Sequence, residues 1–386
     1  MSRSHRPVLP VALLALLLTG LSACTDNALD RLVAPGPTAD VAGQPGITVM
    51  SQNLYLGADL DALLAAQTPE ELAGVFQQLQ ITSAGNMGRM QQIAWQIAQR
   101  APHLAGLQEV TRYTFSTAAG TDTLDYVTIL QAYLNYFYAM GLSGHTYQVV
   151  RQPLTEAPPQ TVALPTGDLI VTYQDGDAIL IRDDVSLVGD PTMVKYDMQQ
   201  TLVVGGTPFT NYRGYIAVTA DVDGVRLRFV NTHLEVQMFR DVQVAQSAQL
   251  IHDLADETLP VVLVGDFNSA ANHDAPADQK SPSYRMLRQA HFGDMWLREA
   301  HSVSGVTCCQ APDLLNDVSM LSQRLDLVLV RWGPASFGGR SAMEVVGDEP
   351  GDRVTVTDPV VGTVTLWPSD HAAVAATLWP APGHIW

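Results

Sequence analysis

The sequence predicts an α/β fold in which two packed β-sheets are covered by helices. Apolar strand-like runs alternate along the chain with segments of helical spacing, an order that suits mixed layers rather than an all-helical or all-strand domain. Hydrophobic residues make up 47% of the 386 positions, enough to bury a large core. Near the middle, Val261 to Val264 is unbroken in its apolar character and bounded by Pro260 and Gly265. That is the pattern of a strand buried on both faces.

The elements follow in chain order. Arg3, His5 and Arg6 precede an apolar stretch from Val8 to Leu18, the charged and hydrophobic regions of an export signal too short to span a bilayer. Leu21-Ser22-Ala23-Cys24 then looks like a bacterial lipobox, with residues 1–23 as signal peptide and Cys24 as the acylated first residue. An ordinary secretory signal with a coincidental cysteine is the alternative. Residues 24–45, rich in Ala, Gly, Pro and Asp without periodicity, suit a flexible tether, and one folded domain is expected over 46–386. Helical spacing runs from Asp59 to Leu79 and from Asn86 to Gln99, with Leu63, Leu64, Ile93 and Ile97 facing inwards. A strand leading to Glu109 follows, then a helix from Asp125 to Met140 and several short β-like segments between Gln148 and Phe229. Pro153 to Gly167 reads as a surface loop. Helices are expected over Val242 to Leu254 and Ser281 to Gln289. Gly333 to Pro359 reads as an added hairpin or loop before the last motif, the kind of segment that carries substrate specificity.

Charge narrows the partners. The net charge of −18 becomes −20 when Arg3 and Arg6 leave with the first 23 residues. Such a protein repels polyanions unless a basic groove compensates, which disfavours nucleic acid. Acylation at Cys24 would tether it outside the cytoplasm, at the periplasmic or extracellular face of a bacterial envelope. Cys308 and Cys309 would then be the other cysteines of the mature chain. In an oxidising compartment they either close a vicinal disulfide or stay as two thiols. No second Cys pair or spaced His pair accompanies them, so the sequence does not read as a zinc site.

Chemistry gathers where apolar runs end. Met50 to Tyr55 carries Asn53, Leu104 to Val110 carries Glu109, and Phe229 to Leu234 carries Asn231 and His233. Leu259 to Asn268 ends in Asp266 and Asn268, Arg324 to Val330 carries Asp326, and Trp367 to His371 ends in Asp370 and His371. Open α/β sheets place reactive groups at strand ends. An Asp there can take a proton from water or hold a metal, and a neighbouring Asn amide can orient water or phosphate. Glu109 offers a hard oxygen suited to magnesium or manganese. Taken singly, each has a plainer reading: Gly, Asp and Asn are common turn formers, and a lone Glu after a strand is usually solvated.

In this order the set resembles the endonuclease/exonuclease/phosphatase superfamily of metal-dependent phosphoesterases, over about residues 47 to 380. The resemblance implies a four-layer sandwich and hydrolysis of a phosphate ester by metal-assisted attack of water, with no covalent enzyme intermediate. It implies that Asp266 activates the water, Asn268 holds phosphate or metal, and His371 donates to a phosphate oxygen. Asp326 would keep His371 protonated and oriented. Glu109 would hold Mg2+ or Mn2+, with Asn53 on the metal shell or phosphate and Asp370 on the metal or its water. His233, in Asn-Thr-His-Leu, looks like the transition-state histidine of the sphingomyelinase, lipid-phosphatase and deoxyribonuclease branches, and Asn231 would support the loop. The abasic-site repair branch carries an Asp two positions after the first Asn, where this chain has Tyr55. Arg213, in Tyr212-Arg213-Gly214, is either a phosphate contact or a surface arginine. The expected substrate is a phospholipid or another small phosphodiester, acted on by a monomer. An extracellular nuclease and a binding protein with a retired site are the alternatives.

Overall fold

The computed structural model describes residues 46–57, 82, 86–164, 167–204, 207–272, 276, 280–298, 304–332, 341–358 and 362–379. The expected signal peptide, Cys24, the tether and the helix from Asp59 to Leu79 lie outside these residues.

Two mixed sheets form the centre. The first has eight strands, with Ile47–Asn53 and Leu104–Gln108 side by side in its middle and Ala373–Leu378 beside them. The second has seven, with Val225–His233, Val261–Asp266 and Asp326–Arg331 adjacent. Among the described residues each sheet contains one parallel pair, Ile47–Asn53 with Leu104–Gln108 and Val225–His233 with Val261–Asp266.

The alternation of side chains along a strand decides what fills each layer. Val262 and Val264 face the other sheet and join Val49, Ile179, Phe229, Val328 and Val374 in a core between the sheets. Val261 and Leu263 face the opposite way, packing with Leu250 and Leu287 of the helices Arg240–Asp253 and Pro282–Gln289. Met50 and Leu107 do the same on the first sheet, against Ile93, Ile97 and Leu130 of the helices Asn86–Arg100 and Tyr126–Ala139. The order is therefore helix, sheet, sheet, helix, the four-layer sandwich that was expected.

The segment expected as a loop from Pro153 to Gly167 is instead mostly strand. Tyr147–Leu164 pairs with Gly167–Arg182 as a long antiparallel ribbon. Its prolines sit where strands tolerate them. Among the described residues Tyr147–Leu164 pairs with no strand other than Gly167–Arg182, and the register shifts between Pro153 and Thr155 and again between Ala157 and Gln160. A residue without an N–H costs little at such an edge or bulge. After residue 333, Ser341–Val346 extends the first sheet against Ala373–Leu378, and Val354–Asp358 forms a hairpin with Gly362–Leu366.

Asn231 does not support a loop. It lies within its strand, fully buried, and reaches across to the first sheet. Its amide donates to Leu107 O (2.9 Å) and Ala178 O (3.0 Å), and its carbonyl accepts from Gln108 Nε2 (2.6 Å). Gly106 makes the room: a Cβ there would come within 2.5 Å of Asn231 Oδ1.

Candidate active site

Register alone brings most of the site together. His233 pairs with Asp266, and Asp266 pairs with Asp326, so three chemically capable residues form one row across the second sheet. The first strand, Ile47–Asn53, ends at Asn53 opposite Gln108, one residue before Glu109. Two backbone features shape these ends. Gly265 has φ 152°, and a side chain there would strike Thr232 O of the neighbouring strand, so a glycine must precede Asp266. Glu109 (φ 53°) and Asn268 (φ 47°) adopt the left-handed conformation, which costs energy in non-glycine residues and aims each side chain away from its strand's course.

Asp266 is the hub. Its Oδ2 accepts from Asn53 Nδ2 (3.1 Å) and lies 3.4 Å from His233 Nε2 and 3.8 Å from His371 Nε2, while Oδ1 accepts from Asn268 N (2.8 Å). Asn53 Nδ2 also donates to Glu109 Oε1 (3.1 Å), which joins the carboxylates of the two sheets. His371 Nδ1 meets Asp326 Oδ2 at 2.7 Å. Asn268 Nδ2 donates to Leu234 O (3.0 Å) and lies 3.2 Å from His233 Nε2. Arg213 is buried, not a surface arginine, and its Nη1 donates to His233 Nδ1 at 2.7 Å. Asp370 neighbours the group, with Oδ1 3.4 Å from Ser369 Oγ. Every site residue that the sequence singled out within the domain is thus brought to this one end of the sandwich. Tyr55 is not part of it: the ring packs with Leu314, Leu366 and Trp367, and its hydroxyl donates to Pro312 O (2.7 Å).

Burial and neighbouring charge set the protonation states. For Asp266, burial opposes the charge, but His371, His233 and the Asn268 amide outweigh it and hold the carboxyl well below the usual range. For His371, burial disfavours the imidazolium, yet Asp326, Asp266 and Asp370 push its pKa well above the ordinary value. His233 is pushed the other way, by burial and by Arg213, and stands neutral. Burial, then the charges of Asp370 and Asp175, raises Glu109 to about 7, and burial raises Asp370 as well. Glu109 and Asp370 repel each other, and both offer hard oxygens. That donor set fits a divalent cation, which would relieve the repulsion.

Sequence reasoning missed the scaffold behind these groups. Arg89 is buried, donating from Nε to Pro368 O (2.9 Å) and from Nη2 to Leu54 O (2.5 Å) and Tyr55 O (3.2 Å). It ties the chain after Asn53 to the chain before Asp370. Ser369 adds a second tie, its hydroxyl donating to Asn53 O (2.8 Å). The signal for Arg89 was its place beside Met90 and Ile93 on the inward face of a helix. Asp175 and Asp177, buried on one strand, were also missed. Asp175 accepts from Thr111 Oγ1 (3.1 Å) and acts on Glu109 through its charge.

Comparison with known proteins agrees with this geometry. Among curated proteins no relative matches. Among solved structures, an endonuclease/exonuclease/phosphatase family protein from Bacteroides thetaiotaomicron is similar at 17% identity, covering 88% of this chain and 97% of its own, with a TM-score of 0.51. A family protein from Leptotrichia buccalis is similar at 13% identity, covering 86% and 99%, with a TM-score of 0.51. A mannosyl-6-phosphatase from Bacteroides thetaiotaomicron is similar at 17% identity, with the same coverages and a TM-score of 0.50. These likenesses show the fold. The family profile described as Endonuclease/Exonuclease/phosphatase family matches residues 50–371, from the strand that carries Asn53 to His371 itself, and the chain therefore belongs to that family of phosphoester hydrolases.

Proposed function

We propose that this protein is an exported, lipid-anchored phosphodiesterase that uses Mg2+ or a similar ion to hydrolyse a phospholipid or another small phosphodiester. The observation that carries the reading is the row His233, Asp266, Asp326 with His371 above it, in which one carboxylate is held ionised and one imidazole is held protonated. Asp266 takes the proton of the attacking water. His371 donates to a phosphate oxygen from Nε2, with Nδ1 fixed by Asp326. Arg213 and Asn268 bind the other oxygens, and Arg213 keeps His233 neutral and oriented beside the phosphate. Glu109, Asn53 and Asp370 would hold the cation, which when bound neutralises charge building on the phosphate.

The choice among esters rests on charge and address. A net charge of −18 opposes a polyanionic nucleic acid, and the lipobox at Cys24 supports a substrate met at a membrane. The test is a panel of sphingomyelin, phosphatidylcholine, inositol phosphates, mannose 6-phosphate and DNA, each with magnesium and with chelator. Turnover of a phospholipid or small diester that chelator abolishes is the expected result. DNA as the preferred substrate would overturn the assignment, and no turnover of any ester would favour a binding protein.

The anchor is checked separately. Native protein should partition with membranes, and a Cys24→Ser variant should be lost from that fraction. Mass spectrometry that finds residue 24 unmodified, or cleavage elsewhere, would remove the anchor.

A further inference from the structure

We propose that Cys308, Cys309 and His371 form a redox-gated site for a thiophilic divalent cation of the zinc and cadmium type, and that filling it silences the enzyme. The two sulfurs are bonded to each other in this structure, and Cys309 Sγ lies 3.8 Å from His371 Nε2. Both sulfurs and a ring nitrogen of His371 fall within 4.8 Å of one another.

Backbone hydrogen bonds, independent of the S–S bond, hold the Cys-Cys segment there. Cys308 N donates to Gln323 O (2.9 Å), and Cys308 O accepts from Ser322 N (2.7 Å) and Gln323 N (2.9 Å). On the other side, Ala372 N donates to Thr307 O and Gln310 N donates to Asp370 O, each at 2.8 Å. The Cys-Cys segment is therefore laced to the chain on both sides of it, one of them carrying His371. Breaking the bond leaves that backbone in place beside His371, and the two sulfurs separate by side-chain rotation to ligand spacing.

The geometry suits a tetrahedral ion. Zinc bonds of about 2.3 Å to sulfur and about 2.0 Å to nitrogen put neighbouring S and N ligands about 3.5 Å apart, close to the separation observed. His371 Nδ1 is taken by Asp326, so Nε2 is the free nitrogen, and a carboxylate behind the ring is how metal-binding histidines are oriented. Cys308 is buried at 4% exposure, while Cys309 is exposed and gives access. Thiolate ligands select soft cations, whereas the carboxylates of Glu109 and Asp370 select hard ones, so the two sites separate by chemistry.

The switch balances as follows. A dithiol reductant supplies two electrons and two protons, the S–S bond breaks, two S–H bonds form, and the reductant leaves as a disulfide. The cation then displaces three protons to solvent, one from each thiol and one from His371 Nε2, and binds the lone pair that Nε2 gains. That imidazole can no longer donate to phosphate. The loss of activity rests on the phosphodiesterase reading, whereas the binding does not.

The test uses the full chain, oxidised or reduced and freed of reductant, titrated with cadmium in the presence of magnesium. The readouts are the thiolate-to-cadmium charge-transfer absorbance and hydrolysis of bis-p-nitrophenyl phosphate. Reduced protein should develop the band to saturation at equimolar cadmium and lose activity by about 10²-fold, the cost of one oxyanion donor. Chelator followed by excess magnesium should restore the rate, and oxidised protein and Cys309→Ser should show neither effect. The site is overturned if reduced protein gives no band, or if oxidised protein and Cys309→Ser are inhibited equally. A His371→Ala variant that keeps the band at undiminished affinity would remove the imidazole from it. The band is read without substrate, so a protein inactive on every ester still decides the question.

Discussion

Asp266→Asn is expected to lower kcat by roughly 10²–10⁴-fold, the range for a lost general base, with magnesium affinity near wild type. The substitution keeps size and the bond from the Asn268 amide, but an amide cannot take a proton from water. Nothing else at the hub replaces it: His371 carries its proton already, and His233 Nδ1 is occupied by Arg213. Steady-state kinetics with titration calorimetry is the measurement, and circular dichroism controls for folding. A kcat within tenfold of wild type would show that another group accepts the proton. Because the neighbours of Asp266 hold it ionised well into acid, the fall in activity on acidification should come from Glu109 instead.

Glu109→Gln should abolish the magnesium response and, without metal, stabilise the fold at high pH. The folded pKa of about 7 lies above the ordinary 4.5. The stability linked to this group is therefore fully present below about pH 4.5 and lost as pH rises through about 7. At pH 8 the metal-free protein holds a charged carboxylate against Asp370 and Asp175, at a cost on the order of 1–3 kcal/mol. Glutamine removes that charge. In chelator, the variant should melt a few degrees above wild type at pH 8 and level with it at pH 4.5, while magnesium should raise the melting temperature of wild type only. Wild-type magnesium affinity should weaken as pH falls below about 7, where proton and cation compete. A variant that still binds magnesium normally would assign the ion to other oxygens.

The candidate site residues were legible because of how strands end. An apolar run fixes a strand, and a polar residue at its last position breaks the pattern visibly, as Asn53, His233 and Asp266 do. Helices at Asn86 and Tyr126 were legible from periodicity, and Asp125 caps the second by accepting from Thr128 N (2.9 Å). The long ribbon was not, since Pro153, Pro158 and Pro159 signal a loop wherever bulges and edge position are unknown. Asp175 and Asp177 were hidden because a carboxylate among short β-like segments looks solvated. Arg213 stayed open between two readings until pairing placed Gly214 opposite His233. Asn231 was misplaced because nothing local reveals that a side chain crosses to another sheet.

The crossing of Asn231 from one sheet to the other ties chemistry to cooperativity. His233 lies two residues further along the same strand, so it projects from the same face as the clamp. The carbonyls that Asn231 holds belong to the strands that lead to Glu109 and from Asp177. Parting the two sheets at this point would therefore separate His233 from the strands that lead to Glu109 and from Asp177. The groups carried on the strands themselves, Asn53, His233, Asp266 and Asp326, are then expected in the slowest-exchanging unit of the molecule, a result that amide exchange would check.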